Sequence, residues 1–151
     1  MSNKEYVMQV VRWIVVILAL GRVVYSLPYL LAAWAGDWLV PPLGASGPEI
    51  LTAVQAVPDW LQAIWTAYIA GFLATAILLI AAWPKGIKLA LLAAAAAVSL
   101  DLGYWIWIIA EPLYVNIDRP AFQLHDVIIN IASLATLLGV AVLQYWPRRP
   151  G

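Results

Sequence analysis

The sequence predicts an all-α integral membrane protein: four transmembrane helices in an up-down bundle, both termini cytoplasmic, with a short interfacial helix in the first periplasmic loop. Three observations carry that expectation. Hydrophobic residues make up 65% of the 151 residues and charged ones only 11%, with a mean hydropathy of +0.90, far from the balance of a soluble domain. Four apolar runs, about residues 6–31, 59–83, 87–110 and 121–146, each reach the ~20 residues that cross about 30 Å of hydrocarbon. Lysine and arginine gather at alternate ends of these runs. The whole chain, 1–151, is read as a single transmembrane domain.

The first span is YVMQVVRWIVVILALGRVVYSLPYLL. A signal peptide is the rival reading, because Ala33-Trp34-Ala35 fits a small-x-small cleavage site. The apolar run is too long for that, and Arg22 interrupts it. Pro28 is expected to kink or fray the helix near its end. From Ala35 to Val57, Pro41, Pro42, Gly44, Gly47 and Pro48 punctuate a long loop. Inside it, Ser46-Gly47-Pro48-Glu49 reads as a helix start before ILTAVQAV, the predicted surface helix.

Pro58 and Asp59 begin the second span. Ala63, Ala67, Gly71 and Thr75 recur at i+4 along it, a stripe that would let another helix approach closely. The few residues Pro84 to Gly86 join it to the third span, so the two form an antiparallel hairpin. EPLYVNIDRP, with two prolines and three charges, is a loop. Pro147-Arg148-Arg149 ends the fourth span.

Lys4, Lys85, Lys88, Arg148 and Arg149 fall on one side, whereas segment 35–58 has no base and segment 111–120 only Arg119. The rule that basic loops stay inside then places both termini in the cytoplasm. Trp83 and Trp146 lie at that interface, and Trp34, Trp38, Trp60, Trp105 and Trp107 at the other, as aromatic belts. Spans two and four end alike, in Trp83-Pro84-Lys85 and Trp146-Pro147-Arg148, but interface preferences alone produce that ending.

Eight basic and eight acidic residues cancel, so no net field recommends nucleic acid as a partner. Without cysteine there are no disulfides, thiolate chemistry, iron–sulfur clusters or cysteine-based zinc sites. The P-loop, nucleophile-elbow and zinc-protease signatures are missing, as is any carboxylate pair at metal-ligand spacing. No catalytic or metal site is expected.

The chemistry of the chain sits inside the spans. At 1.5 Å per residue from the cytoplasmic ends, Arg22 lies about 24 Å deep and Asp101 about 21 Å. Asn130, entering from the other side, reaches the same layer, and Gln62, Thr66, Tyr25, Tyr104, His125 and Asp126 extend it outward. Two uses compete. Arg22 and Asp101 neutralise each other and fix helix order, with Asn130 and the tyrosines completing their hydrogen bonds. Alternatively, Arg22, Asp101, Asn130, Tyr104 and Gln62 line a water-accessible cavity for a small molecule or quinone head. The two differ in whether the layer is filled.

His125 is the single histidine, too shallow and too solitary for bis-histidine haem. It is read as an interfacial, hydrogen-bonded residue, and no cofactor is expected. A pigment held through one axial ligand is the exception the residue types admit. Asp126, Asn130 and Ser133 share a face that points into protein. Arg12, near the cytoplasmic end, is expected to snorkel to a lipid phosphate.

The functional expectation is a non-catalytic accessory or structural subunit of a larger complex in a bacterial inner membrane, of the energy-transducing (respiratory or photosynthetic) kind. Its partners are the lipid bilayer and other membrane subunits or copies of itself. The alternative is a small-molecule or quinone-binding or transport protein working through the Arg22 and Asp101 layer.

Overall fold

A computed structural model describes residues 3–35, 58–110 and 124–146. The described residues form four helices, α1 (Asn3–Ala35), α2 (Asp59–Ala81), α3 (Ile87–Ala110) and α4 (Leu124–Tyr145). All four contain a stretch long and apolar enough to cross a membrane. In hydrocarbon no water satisfies the peptide groups, and a helix pairs them within one segment. The surface helix expected within 35–58 lies outside the described residues, as do the loop at 111–120 and the start of the fourth expected span at 121–123.

Helix α1 continues through Pro28 to Ala35 instead of ending near the proline. Pro28 lies in the last third of the helix, so the one i−4 bond it forgoes is flanked by intact turns. Helix α2 starts where Pro58 supplies its carbonyl to the N–H groups of Leu61 and Gln62, at 2.9 and 3.0 Å. It ends at Ala81, two residues before the expected limit, with the Ala82 N–H donating to the Leu78 carbonyl. A tight turn follows, in which Gly86 donates to the Ala82 carbonyl at 2.6 Å.

Each helix packs on two neighbours in a closed ring, α1 against α2, α2 against α3, α3 against α4 and α4 against α1. Contacts along α1 run opposite to those along α2: Arg12 meets Leu79, Arg22 meets Tyr68, and Tyr29 meets Trp65. One end of the bundle therefore carries Lys85 and the other Asp59. At the Lys85 end the interior is apolar, with Val15, Val16, Leu79, Ile87, Val140 and Leu143 all buried. Large apolar side chains cover the outside, among them Ile17, Val24, Leu92, Ile106 and Leu138, each at least 66% exposed. Such a belt belongs in contact with lipid.

Two glycines set the helix spacing. A Cβ on Gly71 would stand 2.8 Å from Ala97 Cβ and 3.2 Å from the Ala93 carbonyl oxygen, so α2 meets α3 almost backbone to backbone. A Cβ on Gly139 would collide with the Val15 side chain across the α1 and α4 contact. The stripe Ala63, Ala67, Gly71, Thr75 does not act as one surface. Gly71 and Thr75 face the interior, whereas Ala63 and Ala67 are exposed. A step of four residues turns a helix by about 400°, so three such steps rotate the stripe by about 120°.

Candidate functional site

The polar side chains of the bundle converge on one layer at mid-depth. Arg22 comes from α1 and Asp101 from α3, helices that face each other across the ring. The long Arg22 side chain crosses that diagonal. Arg22 Nη2 donates to Asp101 Oδ1 at 2.5 Å and Nε donates to Oδ2 at 3.1 Å, a two-pronged pairing of guanidinium with carboxylate. From α4, Ser133 Oγ donates to Asp101 Oδ2 at 2.7 Å and accepts from Arg22 Nε at 3.2 Å. Arg22 Nη1 donates to Ser26 one turn away on α1.

Helix α2 closes the fourth side with aromatic faces. The guanidinium carbon lies 5.1 Å from the Tyr68 ring centre and 6.0 Å from that of Phe72, with Tyr25 of α1 at 5.7 Å. These faces attract a cation without requiring a further acceptor. The Arg22 and Asp101 side chains are 2% and 0% exposed, so the pair is fully desolvated. Taking two charges out of water costs several kcal/mol each, and the fork-like pairing, the two serines and the rings offset it. All four helices therefore contribute to one closed polar knot.

Toward the Lys85 end the polarity stops. Thr75 and Thr136 are buried, but each hydroxyl donates to a carbonyl four residues back on its own helix, Gly71 and Ala132, at 2.8 and 2.9 Å. Such bonds satisfy the hydroxyl locally and link no helices.

The other residues expected in the layer are arranged differently. Asn130 is buried on α4, but its amide N–H donates to the backbone carbonyl of Asp126 at 2.8 Å, and its Oδ1 has no hydrogen-bond partner among the described residues. Tyr104 belongs to an aromatic cluster, stacked on Trp65 at 5.8 Å and packed against Tyr68 and Trp105. Gln62 lies near the Asp59 end, lining an outward-facing groove with Trp34 and Asp59. Asp126, Asn130 and Ser133 are all buried. His125 falls in the first turn of α4, with its side chain outside the described residues. Among the described residues no cluster of three metal-ligating side chains occurs.

Arg12, expected at a lipid phosphate, has acceptors within the protein. Its Nε donates to the Leu79 carbonyl at 2.8 Å and its Nη2 to the Ile80 carbonyl at 3.3 Å, while Nη1 reaches Gln9 Oε1 at 2.9 Å. The guanidinium carbon also sits 5.0 Å from the Trp13 ring centre and 5.2 Å from that of Trp83. It thus caps the C-terminus of α2, where carbonyls lack intrahelical donors and the helix dipole is negative. Arg12→Ala is expected to destabilise the protein in detergent by about 1–2 kcal/mol, measured by thermal unfolding. Arg12→Lys should recover only part of that, because one ammonium cannot reproduce the fork.

Tyr68 is the member of the site that depth alone points to. Counted from Asp59, it lies about 14 Å along α2, in the same layer as Asn130 on α4.

No protein family matches the chain, and neither does any curated protein or solved structure.

Proposed function

We propose that this chain is a non-catalytic accessory subunit of a larger assembly in a bacterial inner membrane, oriented with both termini in the cytoplasm. One observation carries the reading: the ion pair at mid-membrane is spent on the bundle itself, its side chains 2% and 0% exposed and each bonded to the other. A carrier or a membrane enzyme needs its buried charge reachable by substrate, ion or water. Here both carboxylate oxygens are taken by Arg22 and Ser133. What the helices offer outward is mainly large apolar side chains, the surface by which a membrane subunit meets lipid and other helices. The orientation rests on Lys85 and Lys88 lying at one end and the base-free segment 35–58 at the other.

Gentle detergent extraction followed by native mass spectrometry tests the proposal. The expected result is a co-purifying set of membrane subunits in fixed ratio. A homogeneous, colourless species containing this chain alone would overturn it. An absorbance spectrum of the same sample reads out any pigment bound through His125.

A second reading, binding of a small polar molecule such as a quinone head, has one observation in its favour. Trp65 Nε1 and Asn130 Oδ1 are both buried without hydrogen-bond partners among the described residues. Trp65 stacks on Tyr104, and Tyr104 and Asn130 lie three residues, about 4.5 Å, beyond Asp101 and Ser133 toward the Asp59 end. An unmet buried donor and an unmet buried acceptor in one layer fit a guest with both functions. If the layer is empty, Trp65→Phe removes an uncompensated N–H and leaves stability unchanged or higher. If it holds a guest, the same variant loses it and melts lower.

A further inference from the structure

We propose that internal water bridges Trp65 Nε1 of α2 to Asn130 Oδ1 of α4, on the Asp59 side of the buried ion pair. The inference rests on the second reading above, that this layer holds a polar guest, and gives the guest a chemical identity. Direction is the first argument. Trp65 lies between Tyr29 of α1, with ring centres 6.4 Å apart, and Tyr104 of α3, at 5.8 Å. A side chain of α2 that meets both neighbouring helices points along the diagonal toward α4. Asn130 stands one turn from Ser133, whose hydroxyl engages both Arg22 of α1 and Asp101 of α3, so that face of α4 points to the bundle axis.

Depth agrees. Tyr29, Trp65, Tyr104 and Asn130 each lie six residues, about 9 Å, inside the Asp59-side end of their own helix. Leu30 and Leu61, 3% and 1% exposed, lie nearer that end. Trp65 and Asn130 are themselves only 4% and 9% exposed. One N–H donor and one oxygen acceptor therefore approach the axis from opposite helices, neither with a hydrogen-bond partner among the described residues.

Size selects water. The Tyr29 and Tyr104 rings incline by 31° and 29° to the indole and flank it from α1 and α3, so an aromatic head finds no face of Trp65 on which to stack. On the other side the layer is closed by the ion pair, with both Asp101 oxygens taken by Arg22 and Ser133. Water is the guest of the right scale: it accepts from the indole N–H and donates to the amide oxygen. Interior waters occur where buried polar groups are otherwise unmet. The bridge also has an architectural consequence. Among the described residues α2 and α4 do not pack on each other, and neither do α1 and α3. Arg22 and Asp101 brace one diagonal directly, and the water braces the other.

The test uses the full chain, deuterated at carbon and isotope-labelled at its indole nitrogens, in deuterated detergent. Trp65→Phe identifies the Trp65 indole signal among the nine tryptophans. The expected result is a cross-peak from the Trp65 indole proton to the water frequency, of opposite sign in NOE and ROE spectra, the mark of a resident water rather than of exchange. Asn130→Leu, which removes the acceptor, should lose that peak and leave the other indole signals in place; Asn130→Val repeats the test should that variant fold poorly. A peak that survives both variants belongs to a neighbouring hydroxyl and overturns the bridge. Cross-peaks to carbon-bound protons of a co-purified molecule overturn water but leave the guest reading standing. No cross-peak of either kind overturns both.

Discussion

Asp101→Ala is expected to destabilise the bundle by about 3–5 kcal/mol, because it leaves the Arg22 guanidinium buried without a counter-charge. Ser26, Ser133 and Tyr68 would remain hydrogen-bonded or close to Arg22 and the Phe72 ring would keep its face toward it, but none of these groups carries a counter-charge. Removing both charges should be far milder. In Arg22→Met with Asp101→Leu the buried ion pair and its desolvation cost are gone, and Ser133 keeps the Ile129 carbonyl as acceptor, so stability should return to within about 1 kcal/mol of the parent or exceed it. Unfolding of the two single variants, the double variant and the parent in one detergent, followed by tryptophan fluorescence, closes a double-mutant cycle. A cost below about 1 kcal/mol for Asp101→Ala would mean that the pair is solvated and the layer open, against the reading above.

The cycle also separates structure from function. If the doubly apolar variant folds and still co-purifies with the same subunits, the charges serve the architecture of the bundle. If it folds and loses its partners or its activity in the membrane, the pair does more than hold helices together.

Gly71→Ala is the second substitution with a large expected effect, a loss of about 1–3 kcal/mol from one methyl group. The new Cβ meets Ala97 Cβ at 2.8 Å and the Ala93 carbonyl oxygen at 3.2 Å, and neither atom can swing aside as the end of a long side chain would. The helices must separate, and the core to which Phe72 and Ala76 of α2 and Ala94 and Ala97 of α3 all belong loosens with them. Ala97→Gly in the same chain should restore part of the loss by removing the nearest contact. Gly103→Ala is the control, since among the described residues nothing lies within 4 Å of a Cβ at that position. Alanine favours the helix there, so stability should hold or rise slightly. Equal effects at Gly71 and Gly103 would show that helix propensity, not the α2 and α3 contact, decides the outcome.

One part of the polar layer, the shared depth of Arg22 and Asp101, is legible in the sequence. Arg22 and Asp101 can be matched by depth because a transmembrane helix advances 1.5 Å per residue and must start near an interface. Residue spacing likewise puts Asp126, Asn130 and Ser133 on one face. Spacing does not fix which helices are neighbours. It therefore cannot tell that Arg22 reaches across a diagonal to Asp101, that Ser133 bridges the two, or that Tyr68 and Phe72 cover the guanidinium. Arg12 could be read only as a cation near a headgroup, because the carbonyls it caps belong to a helix 67 residues further along the chain.

By itself, the sequence determined that this is a membrane chain with four apolar helices and two opposite charges, Arg22 and Asp101, at a shared depth. The reason is that a bilayer tolerates few alternatives: each crossing needs some 20 apolar residues and internally paired peptide groups, requirements written locally in the chain. Tertiary structure decided the ring order of the helices, the closure of the ion pair by all four of them, and the division of one alanine-rich stripe into a buried half and an open groove. Those outcomes depend on helix rotation and on which side chains meet across the bundle, and in a medium as apolar as the side chains themselves no local pattern specifies either.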